Sequence, residues 1–325
     1  MYWYYKFLLE RKIGMENTIK SVIWKRYHVK VEKMTFMGGG FYGRVFLVEM
    51  PCEPNKIVIK LYLIPGFSQN EYRQIEALSK SALLKMPKLF WMEPVQEDVK
   101  YEVLAMEYLK GCNAGEVTAE NLTEESRKNI SEEIIDNLLA YHRTINSAGF
   151  GLIGAETFVD EWCAYYRPIA HSILVKAKCM LEQGKMYPEA FRIMELAMEH
   201  YDDIFYIPIK EARLIHGDYN MWNIMLDKSK EHAYAVIDPF NCCYADSEFD
   251  LYQLDNANGK DFGLLNLYME KQPVSENFRL KRAFYELFTE INHYYDSNVD
   301  MREFNLIPGQ AKALYDVMHE WEIVK

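Results

Sequence analysis

Residues 214–254 read LIHGDYNMWNIMLDKSKEHAYAVIDPFNCCYADSEFDLYQL, and the rest of the chain is best understood from this stretch outward. His216-Gly217-Asp218 is followed, five residues after the aspartate, by Asn223, and Asp238 closes a second apolar run. Two short apolar segments, 223–226 and 234–237, flank the polar turn 227–231, which is the pattern of a β-hairpin. Such a hairpin returns Asn223 and Asp238 to the same open end. Phosphoryl transfer needs a carboxylate near the acceptor hydroxyl and hard oxygen ligands for Mg²⁺. Asp218 fits the first role; Asn223 and Asp238 fit the second. A lone HxD reads equally well as a polar loop beside a surface hairpin. The added Asn223 and the strand-end Asp238 favour a metal-phosphate site.

Two upstream features test this reading independently. Gly38-Gly39-Gly40-Phe41-Tyr42-Gly43-Arg44-Val45 lies between a strand-like segment at 27–34 and the apolar run 45–48. Glycines let backbone N–H groups approach phosphate oxygens and permit a tight turn between strands. No Gly-Lys-Ser/Thr ending follows, and the next element is a strand rather than a helix, so neither a Walker loop nor a dinucleotide fingerprint is present. Downstream, the run KIVIKLY at 56–62 places Lys60 inside a β-rich segment, where a charge needs a partner. Helical spacing over 70–85 puts Ile75, Leu78 and Ala82 on one face, and Glu71 shares it. Glu76 lies about 140° away from Glu71 at ~100° per residue and faces solvent. An inward glutamate needs a cation, and Lys60 is the obvious one. The other explanation is that Glu71 simply complements the helix N-terminus.

The order of glycine-rich loop, strand lysine, helix glutamate, HxDxxxxN and strand-end aspartate resembles the kinase-like superfamily, in particular its aminoglycoside phosphotransferase and fructosamine (ketosamine) kinase branch. HGDYNMWN is similar to the HGDLWxGN element of the fructosamine kinases, and IDPFNCCYADSEFDLYQL resembles their IDPxxxYGxxExDLA stretch. The run 278–295 is similar to their C-terminal helix. Tyr219, Met221 and the missing glycine before Asn223 depart from that pattern and bear on the acceptor rather than on the chemistry. The resemblance implies an α+β, protein-kinase-like, two-lobed fold. An N-lobe of antiparallel sheet with one helix would span 1–109, residues 1–26 being an N-terminal extension. A mostly helical C-lobe at 110–325 would hold the catalytic loop and the acceptor pocket. It further implies ATP and Mg²⁺ as cofactors. Asp218 would serve the acceptor hydroxyl, while Asn223 and Asp238 would hold magnesium. Gly38, Gly39, Gly40, Gly43 and Val45 would cover the nucleotide. Lys60, fixed by Glu71, would contact its phosphates, and Met106, Glu107 and Leu109 would form the hinge facing adenine. His216 and Asp250 would support the catalytic loop.

Composition bounds the remaining possibilities. At 325 residues, 50% hydrophobic and 26% charged, the chain is expected to form two folded domains without a low-complexity arm. A formal charge of −11 argues against nucleic acid and suits a cationic small molecule. No apolar run approaches the ~18 residues of a membrane span. The six cysteines, Cys52, Cys112, Cys163, Cys179, Cys242 and Cys243, show no metal-type spacing, and a reducing cytoplasm is expected. The oligomeric expectation is a monomer or homodimer. Asp160, Glu161 and Trp162 sit in an aromatic, acidic segment that reads either as part of an acceptor pocket or as a packed inter-helix loop. Three function classes fit: a small-molecule kinase, a protein kinase, and a nucleotide-binding pseudoenzyme. Gly217 stands where protein kinases usually carry arginine, and Asp250 follows Asp238 by only 12 residues, too few for an activation segment. Lys60, Asp218, Asn223 and Asp238 are all present, against a pseudoenzyme. A hydroxyl on an amine-bearing sugar, such as a ketosamine or an aminoglycoside, is the expected acceptor.

Overall fold

Alternation of apolar and polar side chains makes the first sheet, and a single long helix covers its apolar face. The computed structural model describes residues 2–40, 42–297, 300–303 and 306–324; Phe41 of the glycine-rich loop lies outside them. The chain divides into two units, residues 1–76 with 86–110, and residues 77–85 with 111–325.

In the first unit α1 (Tyr2–Tyr27) precedes β1 (Lys33–Gly38), β2 (Gly43–Glu49), β3 (Lys56–Tyr62), α2 (Phe67–Ser79), β4 (Leu89–Glu93) and β5 (Glu102–Glu107). The sheet runs β1-β2-β3-β5-β4 with every neighbour antiparallel. Phe46, Val48, Ile57, Ile59 and Leu61 are buried together with Met15, Ile19, Val22 and Ile23, which recur at helical spacing along α1. Each such side chain stabilises the fold by roughly 1.5–3 kcal/mol on burial, so α1 is part of this core. Lys60, between Ile59 and Leu61, alternates to the opposite face. Two expectations shift. The strand foreseen over 27–34 begins only at Lys33, opposite Glu49 where β2 ends, with Glu32 just before it donating its N–H to the Glu49 carbonyl at 2.9 Å. The helix foreseen over 70–85 stops at Ser79. Beyond it, the N–H groups of Leu83 and Leu84 donate to Asn137 Oδ1, and Lys85 exchanges backbone bonds with Tyr234 and Val236.

The second unit contains β6 (Cys112–Asn113), α3 (Glu124–His142), β7 (Gly151–Leu152), α4 (Trp162–Glu182), α5 (Pro188–Glu199) and α6 (Tyr201–Ile204). After these come β8 (Arg213–Leu214), β9 (Ile224–Leu226), β10 (Ala233–Val236), β11 (Cys243–Ala245), α7 (Leu264–Lys271), α8 (Phe278–Ser297) and α9 (Leu306–Glu320). Its core centres on the inner stripe of α8, where Phe284, Leu287, Phe288 and Ile291 pack with residues of α4, α5 and α9. Two small sheets, β10-β9-β6 and β7-β11-β8, carry the segment of interest. No helix among the described residues is long and apolar enough to cross a membrane.

Candidate active site

Asp250 organises the loop that carries Asp218. Its carboxylate is fully buried and accepts the backbone N–H of His216 at 2.8 Å and of Gly217 at 2.7 Å. Gly217 adopts φ +80°, and a Cβ there would collide with the carbonyl oxygen of Phe240. Glycine therefore permits both the left-handed turn and the close approach of the segment that follows Asp238. His216 is buried, and burial pushes its pKa down to about 4, leaving it neutral. Its Nδ1 accepts the Asp218 N–H at 3.3 Å. Tyr219 is buried below the loop and donates its hydroxyl to the Ile134 carbonyl of α3 at 2.8 Å, while Asn137 Nδ2 reaches that hydroxyl at 3.1 Å.

The Asp218 carboxylate lies between two amides. Asn220 Nδ2 donates to one oxygen at 2.7 Å and Asn223 Nδ2 to the other at 2.8 Å. Burial, followed by the charge of Asp238, pushes the Asp218 pKa up to about 7, and the bond from Asn223 opposes that shift. The β9–β10 hairpin pairs Ile224 with Val236, and Ile237 donates its N–H to the Asn223 carbonyl at 2.9 Å. Asp238 follows directly, exposed, at φ +55°. Such a conformation costs a non-glycine residue roughly 1–3 kcal/mol and clusters at functional sites. Both side-chain bonds of Asn223 use Nδ2, so its Oδ1 is the atom suited to a hard cation, and the Asp238 carboxylate adds a second oxygen ligand. Mg²⁺ typically takes one or two protein oxygens and completes its shell with phosphate and water. The donor set fits it.

In the first unit Lys60 Nζ lies 2.7 Å from Glu71 Oε2, with both side chains largely buried. Tyr62 also donates its hydroxyl to Glu71 Oε2 at 2.7 Å. Val45 pairs directly with Lys60 across β2 and β3, placing their side chains on one face. Gly38 ends β1 and Gly43 opens β2, with Gly39 and Gly40 in the turn between. A Cβ on Gly39 would lie 2.5 Å from the Gly43 carbonyl oxygen. Arg44 donates to the carbonyls of Gly40 at 2.6 Å and Gly43 at 2.8 Å, bracing the turn. Met106 and Glu107 complete β5, where they pair with Val58 and Ile57, and Leu109 is buried just beyond.

Trp162 belongs to the core. Its ring stacks on Tyr166 at 5.0 Å between centroids, and its Nε1 donates to the Tyr285 hydroxyl at 2.7 Å. Asp160 and Glu161 are exposed at the start of α4. Residues absent from the sequence reading include Asn220, Tyr62, Asn137 and a buried cation, Lys281. Lys281 Nζ sits 2.8 Å from both Asp246 and Glu248 and so fixes the start of the 3-10 stretch Ser247–Asp255 that carries Asp250. The pair Asp246 and Glu248 was a visible acidic signal beside Asp250. Its cation comes from α8 and gave no local sign.

The chain matches the sequence profile of the phosphotransferase enzyme family over residues 34–267. The uncharacterized protein YcbJ of Escherichia coli is 24% identical over 274 residues, covering 82% of this chain and 89% of that protein. Among solved structures, a putative fructosamine-3-kinase from Haemophilus somnus superposes with a TM-score of 0.69 at 14% identity, covering 93% of this chain and 97% of the other. A thermostable mutant of aminoglycoside phosphotransferase APH(4)-Ia, in ternary complex with ADP and hygromycin B, gives a TM-score of 0.67 at 15% identity, over 91% of this chain and 97% of that one. The chain shares the α+β, kinase-like fold of these solved structures.

Proposed function

Because the chain belongs to the phosphotransferase enzyme family, we propose that it is an ATP- and Mg²⁺-dependent small-molecule kinase that phosphorylates a hydroxyl of an amine-bearing sugar. The observation that carries this reading is the Asp218 carboxylate, held by two amides at the end of a hairpin that also presents Asn223 and Asp238. Asp218 orients the acceptor hydroxyl and takes its proton as the phosphoryl group moves. Lys60, fixed by Glu71 and Tyr62, binds the nucleotide phosphates. Gly38, Gly39, Gly40 and Gly43, near the bracing Arg44, would cover them, and Met106, Glu107 and Leu109 would face the base. Asn223 and Asp238 would hold magnesium, which when bound would supply charge neutralisation for the transferred group. His216 and Asp250 keep the loop in shape.

A cationic acceptor is favoured by the surroundings of Asp218. Glu290 of α8 is near enough to raise the Asp218 pKa further, and Glu286 lies one turn before it. An ammonium group entering there would meet the carboxyl groups of Asp218, Glu290 and Glu286, the last of which already has the charge of Arg282 beside it. A ketosamine is the first choice and an aminoglycoside the second. Protein-kinase activity is disfavoured because the residues after Asp238 enter β11, which is paired on both sides by β7 and β8, rather than a long peptide-binding segment. The test is an acceptor panel of fructosyl-lysine, kanamycin, choline and casein, read by ADP release and by the phosphorylated product. Turnover with an amine-bearing sugar is expected. Phosphorylation of casein with no small-molecule product would overturn the reading.

A further inference from the structure

We infer that Asn220 is a positioning residue for phosphoryl transfer, its amide locking the Asp218 carboxylate in the orientation that receives the acceptor proton. The inference rests on the reading of Asp218 as the group facing the acceptor hydroxyl. The two ends of the Asn220 amide have different partners. Its Oδ1 accepts the Trp222 N–H at 3.0 Å, capping the 3-10 turn Met221–Asn223. That bond turns Nδ2 toward Asp218, where it donates to Oδ1 at 2.7 Å. Gln253 reinforces the same orientation. Its Nε2 donates to the Tyr252 hydroxyl at 2.8 Å, leaving Oε1 to face Asn220 Nδ2 at 3.4 Å and to accept from Asn256 at 2.8 Å.

A carboxylate held by one hydrogen bond still pivots about its terminal torsion; one held at both oxygens does not. Asn223 grips the second oxygen, but its Oδ1 is the atom suited to the metal. Asn220 has no such second task, and it is largely buried. The amide does both from two separate atoms, one accepting the cap N–H and the other donating to the carboxylate, whereas a serine hydroxyl would have to do both from a single oxygen closer to the backbone. Serine and aspartate cap a turn as well as asparagine does. Aspartate, however, accepts only, and it places a like charge beside Asp218.

That asymmetry provides the test. Wild type, Asp218→Asn, Asn220→Asp and Asn220→Ser are compared for ADP release from Mg²⁺-ATP with fructosyl-lysine, kanamycin or water as acceptor, and for melting temperature and ATP affinity. Loss of turnover in Asp218→Asn establishes the role of Asp218 independently; full activity in that variant removes the basis of the inference. With Asp218 so established, Asn220→Asp is expected to keep its KM for ATP while kcat falls about 10²-fold, the cost of a slightly misplaced reacting group, a loss larger than any drop in melting temperature from the added like charge accounts for. Asn220→Ser, which keeps the cap, is expected to lose kcat in the same direction and serves where the aspartate variant folds poorly. Wild-type kcat in both capping variants would assign Asn220 to the cap alone and overturn the inference. A fall in kcat that merely tracks lost stability or lost ATP affinity would do the same.

Discussion

Gly217 shows how much one backbone position decides. An arginine in its place would be ordinary in a protein kinase, but here the residue sits at φ +80° against the Phe240 carbonyl. Gly217→Ala is expected to destabilise the protein by more than the ~1–2 kcal/mol that a left-handed non-glycine residue costs by itself, because the clash with Phe240 adds to it. Urea unfolding of the variant beside wild type measures this, and equal midpoints would contradict it. The absence of arginine was legible in the sequence. Its cause was not, because the collision involves a residue that only the fold brings near. Tyr62 and Asn137 were hidden for the same reason. Their partners, Glu71 and Tyr219, lie on other elements, and a tyrosine or asparagine gives no periodic signal of its own.

At the level of elements, short apolar runs around a polar turn were enough to place the β9–β10 hairpin, because hairpin register is local. The Lys60–Glu71 pair followed from the face of α2, again a local periodicity. Helix ends were less legible. Residues 80–85 have helical composition, and the N–H groups of 80–82 still bond back to Ala77 and Leu78, but the backbone groups of 83–85 bond to Asn137, Tyr234 and Val236, and tertiary partners prevail over propensity there. Trp162 was ambiguous because an aromatic residue in a core and one in a pocket look alike without burial. The hairpin carries its own prediction. Asp238→Asn keeps a residue that tolerates the left-handed region but removes the charge. It should weaken the Mg²⁺-dependent part of ATP binding at least tenfold, given that even groups one shell outside a metal cost ~10–100-fold. Thermal-shift titration with ATP, with and without Mg²⁺, reads the effect. An undiminished magnesium-dependent shift would reduce the hairpin to a structural element.

Over the whole molecule, a few of the carboxyl groups behind the formal charge of −11 lie where burial makes ionisation costly. Burial, followed by the charge of Glu286, pushes the Glu290 pKa up to about 7. A carboxyl group whose pKa is higher in the folded state favours folding while protonated. Its contribution is fully present below the unfolded pKa of about 4.5 and is lost as pH rises through about 7. Glu290→Gln should therefore gain stability over wild type between pH 5 and pH 8, by roughly 1–2 kcal/mol once partial exposure is discounted. A difference that stays constant with pH would contradict this. The account as a whole stands on Asp218 as the group that serves the acceptor. The most direct test incubates wild type and Asp218→Asn with γ-labelled Mg²⁺-ATP and fructosyl-lysine or kanamycin and follows the label. Wild type should transfer it to the small molecule, and Asp218→Asn should do so about 10²- to 10⁴-fold more slowly with ATP affinity retained. Transfer at the wild-type rate by Asp218→Asn would contradict the account.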